Sequence, residues 1–125
     1  MHSTRPAAPT PDGDVLAVDR LDCYRLAVEF CALANDIRPA SRDLRDQLER
    51  ASASVVLNLA EGVGRATRAD QARLFMIARG SAFECVAALD VLRARRALRE
   101  ETYDTGRAML VRIVRMLSRL AMAGG

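Results

Sequence analysis

Apolar residues recur three and four positions apart in four separate stretches of this chain, and that repeat limits the fold more than any other feature. In one stretch Leu44, Leu48, Ala51, Val55 and Asn58 follow a strict three-four alternation, with Arg42, Arg45, Asp46, Glu49 and Arg50 opposite. Another runs Leu74, Ala78, Ser81, Cys85, Ala88 and Leu92, with Phe75, Ala82 and Leu89 beside it. This period places one face of a helix against a core. A stripe of Leu21, Tyr24, Val28 and Cys31, widened by Ala27, Phe30 and Ala34, predicts a helix before these two. Met109, Leu110, Ile113, Leu117 and Leu120 predict one after them. Composition points the same way: Ala, Leu and Arg dominate and favour helix. Trp is absent and only five residues are aromatic, which disfavours a sandwich, a barrel or a nucleic-acid binder built on rows of stacked rings.

The breaks between stripes set the boundaries. Residues 1–16 contain Pro6, Pro9, Pro11 and Gly13 without a hydrophobic period, which predicts a disordered tail. The first helix should run from about Asp19 to Asp36, because Arg38 precedes Pro39 and resists the helical conformation. Ser41 is the expected N-cap of the second, with Asp43 in its first turn, and Gly62 is expected in the left-handed position at its end. Thr67 with Asp70 resembles a capping box for a third helix over 68–97. The fourth should begin near Glu101 or Thr102 and end near Met122. Four long helices with short connections predict an all-α, up-down-up-down antiparallel four-helix bundle over residues 17–122, with 123–125 as its C-terminal end.

Charge is unevenly placed. All nineteen basic residues other than His2 are Arg. Residues 1–62 hold seven Arg against ten acids, and residues 63–125 hold twelve Arg against six. No acid follows Asp104, whereas Arg107, Arg112, Arg115 and Arg119 do. Such asymmetry suits an anion-facing surface or the neutralisation of one bundle half by the other. The start MHSTRPAAPTPDGD lacks the apolar stretch of a secretory signal, and no segment is apolar enough to span a bilayer. Cys23, Cys31 and Cys85 are odd in number without CxxC spacing, which suits reduced thiols and a cytoplasmic location.

Three segments make one pattern: Gln47-Leu48-Glu49-Arg50-Ala51, Asn58-Leu59-Ala60-Glu61-Gly62-Val63-Gly64-Arg65, and Ile77-Ala78-Arg79-Gly80-Ser81-Ala82-Phe83-Glu84. They resemble the signature Q-x-x-R-A, N-[IL]-A-E-G-x-G-R and A-x-G-S-x-x-E of the bacterial 23S rRNA-intervening-sequence proteins. The resemblance spans about Leu21 to Leu120. In helix one, Leu21-Asp22-Cys23-Tyr24 departs mildly from the family's Val-Tyr or Val-Trp. The resemblance implies a homopentameric barrel of antiparallel four-helix bundles. More distantly the chain is similar to the accessory protein of diversity-generating retroelements, a basic pentamer that binds reverse transcriptase and nucleic acid, which implies RNA contact.

Catalytic chemistry finds little support. The single histidine, His2, lies in the expected tail, so Glu-x-x-His metal sites are impossible. Cys23 and Cys31 stand about 80° apart around one helix, a poor start for a zinc site. Gly62-Val63-Gly64 follows a helix and lacks the remainder of a phosphate loop. No catalytic residue, metal or cofactor is expected. Asn58 and Ser81 fall on apolar seams and should find hydrogen-bond partners between helices. Gly80 leaves room for another helix or subunit. Glu61 and Arg65 can pair across the glycine turn, and Arg50 can reach Glu84; these five, Arg50, Asn58, Glu61, Ser81 and Glu84, form the expected structural polar set. Arg65, Arg68, Arg112, Arg115 and Arg119 are the expected nucleic-acid contacts, since guanidinium forks bind phosphate bidentately. The expected function is a non-catalytic oligomeric scaffold for RNA, DNA or a ribonucleoprotein partner. The alternative is a protein-interaction adaptor without nucleic-acid affinity.

Overall fold

The computed structural model describes residues 11–39 and 41–123, which form four helices and no strand. They are α1 (Pro11–Asp36), α2 (Arg42–Val63), α3 (Arg68–Ala94) and α4 (Glu100–Met122). Each helix packs on its neighbours in sequence, and α4 closes onto α1, while the backbones of the diagonal pairs stay farther apart. This is a four-helix bundle with its core along the common axis.

The starts of α2 and α3 follow the predicted chemistry. Ser41 Oγ accepts from Leu44 N at 3.3 Å, and Thr67 Oγ1 accepts from Asp70 N at 3.2 Å. Each satisfies an amide that has no partner inside its helix. The start of α1 differs from expectation, because residues 11–16 are helical. Proline suits a first helical position: its φ is preset, and the N–H it lacks would be unpaired there anyway. Residues 1–10 of the expected tail lie outside the described residues.

All nine residues of the predicted α3 face are buried. Leu110, Ile113, Leu117 and Leu120 are buried on α4, joined by Tyr103, Gly106 and Met116. The α1 stripe is the exception. Cys23, Ala27, Phe30, Ala34 and Ile37 face the core, while Leu21, Tyr24 and Val28 are exposed. The residues expected to widen the stripe, Ala27, Phe30 and Ala34, are the buried ones, and the true face lies one residue, about 100° of helix rotation, from the line Leu21–Tyr24–Val28. Because α1 carries apolar residues on two faces, periodicity alone does not choose between them.

Two glycine expectations also change. Gly62 lies inside α2, and Gly64, its C-cap, has φ −82°, so no left-handed residue ends this helix. What Gly62 provides is closeness: a Cβ there would stand 2.7 Å from Phe75 Cε1 and 3.3 Å from Leu74 Cβ. The left-handed residue is Arg96, with φ 57°, after α3. Ala97 N there donates to Leu92 O at 2.8 Å and Arg96 N to Arg93 O at 2.9 Å, which ends α3 at Ala94, three residues early. Gly80 is exposed, and a Cβ there would meet nothing within 4 Å, so packing within the chain does not require it.

These contacts separate the two glycines experimentally. Gly62→Ala is expected to destabilise by about 1–3 kcal/mol through overpacking. Gly80→Ala is expected to stabilise by about 0.5–1 kcal/mol, as for an exposed mid-helix glycine. Denaturant unfolding of both variants reads the opposite signs.

Candidate nucleic-acid interface

The polar seam between α2 and α3 is built around a residue that the apolar periodicity passes over, Ser54. Its hydroxyl lies 2.8 Å from Ser81 Oγ. Asn58 Nδ2 donates to Ser54 Oγ at 3.0 Å and to Ser54 O at 2.9 Å. Asn58 and Ser81 are therefore linked through Ser54, and no buried side-chain N or O among the described residues lacks a partner. This chain of bonds fixes how α2 sits against α3. The signal for Ser54 was available: it stands four residues before Asn58, one turn away on the same face.

At the α2–α3 turn, Arg65 and Glu61 form the expected ion pair, one helical turn apart and both exposed. Gln71 Nε2 donates to Arg65 O at 3.0 Å. Arg68 Nη1 donates to Ala123 O at 3.1 Å, tying the start of α3 to the end of α4. The expected bridge from Arg50 to Glu84 is not formed. Both side chains are exposed, and neither has an ion-pair partner among the described residues.

The α4 arginines divide. Arg119 makes a fork to Asp19, with Nε to Oδ2 at 2.7 Å and Nη2 to Oδ1 at 2.9 Å. The Asp19 side chain is only 7% exposed, against 51% for Arg119. Hydrogen bonding to Asp19 raises the Arg119 pKa further above its ordinary value, against a smaller opposing effect of desolvation. This arginine holds α1 to α4 and has its fork occupied. Arg112 and Arg115 are exposed and have no ion-pair partner among the described residues. Arg107, also exposed, shares that condition, and with Arg115 it borders a small groove between α3 and α4. Arg79 reaches the same region from α3, where its Nε donates to Ser118 Oγ at 2.8 Å. A guanidinium group without a carboxylate partner can donate paired hydrogen bonds to two phosphate oxygens.

The thiols are sheltered. Burial pushes the Cys23 thiol up to about 12, with the Asp19 charge adding to the effect. Burial also pushes Cys85 up to about 12, followed by the influence of Cys31 and Glu84. Among the described residues, no group of three or more His, Cys, Asp or Glu side chains is placed to hold a metal ion, and no helix is long and apolar enough to cross a membrane. His2 lies outside the described residues.

Two outcomes follow from this geometry. Arg119→Gln strands the buried Asp19 carboxylate and is expected to destabilise by about 1–3 kcal/mol, toward the lower end because the guanidinium is half exposed. Arg112→Gln and Arg115→Gln are expected to stay within about 0.5 kcal/mol; thermal unfolding of the three variants compares them. The second outcome concerns alkali. Unfolded thiols lose protons near pH 8.5, while folded Cys23 and Cys85 keep theirs to about 12. Below the unfolded value the two thiols leave stability unchanged. Above about pH 9 the unfolded state sheds protons that the folded state retains, so stability falls as pH rises. Unfolding midpoints across that range should decline less steeply in the Cys23→Ala, Cys85→Ala double variant.

Comparison with known proteins follows the same architecture. A crystal structure of a protein with unknown function from the S23 ribosomal protein family, from Bacteroides thetaiotaomicron VPI-5482, superposes with a TM-score of 0.73 at 20% identity. The match covers 90% of this chain and 98% of that one, a likeness of fold. No curated protein matches the chain. The model of the family described as 23S rRNA-intervening sequence protein matches residues 20–119. With most of the bundle inside that match, the chain belongs to the 23S rRNA-intervening sequence protein family.

Proposed function

We propose that this protein is a non-catalytic, oligomeric scaffold that binds RNA, alone or in a ribonucleoprotein, through arginines on α3 and α4. The observation that carries the reading is the set Arg107, Arg112 and Arg115: exposed, without an ion-pair partner among the described residues, and on a helix with no acid after Asp104. Arg68 joins them as a charge satisfied only by a carbonyl. Arg65 and Arg119, having carboxylate partners, contribute less. The family's description, which names an intervening sequence of 23S rRNA, fits RNA as the anion.

The same proposal takes the bundle as up-down-up-down. In support, Asp19 near the start of α1 meets Arg119 near the end of α4, and Arg68 at the start of α3 meets Ala123 beyond α4. It takes the oligomer as a homopentamer, in keeping with the family resemblance. Val18, Leu21, Tyr24 and Val28 leave an apolar stripe on α1 that a second copy can cover. A hollow of about 410 Å³ between α1 and α2, lined by Leu21, Tyr24, Leu59, Ala60 and Val63 among others, continues that stripe. The same stripe favours the second reading, an adaptor that docks a protein partner and has no affinity for nucleic acid. Three free cysteines suit a reducing, cytoplasmic setting.

Binding of a structured RNA and a duplex DNA across a salt series, with the native mass measured alongside, tests the proposal. The expected result is a linear log–log loss of affinity with salt, of a slope showing several phosphates neutralised per oligomer. Charge reversal at Arg112 and Arg115 should reduce that slope while leaving the unfolding midpoint in place. Absence of binding at low salt, with a protein co-purifying, would instead support the adaptor.

A further inference from the structure

Between α3 and α4 lies a cavity of about 180 Å³ whose floor is hydrocarbon, including Phe83, Val86, Val111 and Val114, and whose rim carries Arg107 and Arg115. No acidic residue lines it. Phe83 is 47% exposed, the most open of the large apolar residues that α3 leaves outside its buried face, among them Met76, Ile77 and Val91. The Arg79 guanidinium lies over the Phe83 ring, with Cζ 5.0 Å from the centroid. Its Nε is held by Ser118 Oγ at 2.8 Å, so two helices fix the position of this cation over the ring.

We infer that Phe83 and Arg79 form a stacking platform for one unpaired base of single-stranded RNA, with Arg107 and Arg115 receiving the flanking phosphates. The inference rests on the RNA-binding reading above and names the form of RNA. A planar cation placed over an exposed ring makes a two-layer stack, and a flat aromatic base extends it without needing a particular sequence. In a duplex both faces of a base are covered by its neighbours, so only an unpaired base can use the platform. An acidic amphipathic helix also matches a basic rim. However, a helix is about 10–12 Å across with its side chains, and so small a cavity suits one planar group better than a helix face. The scarcity of aromatic residues argues against a row of stacked rings; it leaves room for a single one.

The test uses the full chain and a short labelled purine-rich RNA strand, alone and annealed to its complement, read by fluorescence anisotropy. The single strand is expected to bind more tightly than the duplex. Phe83→Leu keeps apolar bulk without a π face and should weaken single-strand binding at least about fivefold, while duplex binding and native mass stay unchanged. Phe83→Tyr should retain affinity. Arg107→Gln with Arg115→Gln should flatten the salt dependence for the single strand. Salt-dependent RNA binding that is indifferent to Phe83→Leu overturns the platform and leaves the RNA reading standing. A change of native mass in Phe83→Leu assigns the ring to a subunit contact and overturns it as well. If neither RNA binds at low salt, both readings fall, and an acidic helical peptide that binds instead makes the groove a helix-docking site.

Discussion

Helices α2 and α3 can lie close because small residues line their contact. Ser54 meets Ser81 there, a hydroxymethyl group on each side, and Gly62 brings no side chain at all. Phe75 closes the far end of this seam over Gly62, which has no Cβ to obstruct it. Close-packed seams tolerate few registers, because a shift of one residue brings bulk against bulk. The Ser54–Ser81 bond and the two bonds from Asn58 restrict the register further, since slipping would strand polar groups in a half-buried place. With this pair fixed, α1 and α4 complete the bundle.

The remaining helices are joined by a different kind of contact. Asp19 and Arg119 tie α1 to α4 through a charge-assisted fork. At the other end of α4, Tyr103 Oη donates to Asp90 Oδ1 at 2.7 Å, and Arg93 lies over the same ring while its Nε donates to Glu100 Oε1 at 3.1 Å. These contacts use part of the arginine-rich second half as internal fastening. Arg107 and Arg115 at the α3–α4 groove, with Arg79 close by, and Arg112 elsewhere on α4 are left exposed without a carboxylate partner among the described residues. The asymmetry between chain halves thus has two parts, one structural and one exposed.

The seam of α3 was legible in the sequence because every residue on it obeys a single three-four period, unbroken from Leu74 to Leu92, whereas Met76, Phe83 and Val91 outside it make no such run. On α1, Leu21, Tyr24 and Val28 made as regular a stripe as the buried one, and the core lay one residue away. Two apolar faces on a helix are expected where one meets the core and the other is left for a neighbour, and local pattern does not rank them. The helix starts at Ser41 and Thr67 were legible because capping involves residues only three apart. Gly62 stands out in the sequence as a glycine, but its use is its missing side chain, which lets Phe75 approach, a contact between helices that local pattern does not carry.

Sequence by itself determined four helices, two of their caps, most of the buried residues and the family. All of these depend on interactions within a few residues or on a motif read in order. Tertiary structure decided which face of α1 is inside, that Ser54 joins Asn58 to Ser81, and that Arg79 covers Phe83. It also decided which arginines are occupied. Arg112, Arg115 and Arg119 look alike in sequence, one face at regular spacing, and differ only because Asp19, one hundred residues earlier, folds against the last of them. A charge's partner is set by distance in space, and a one-dimensional pattern carries that information only when the partner lies within a turn or two of helix.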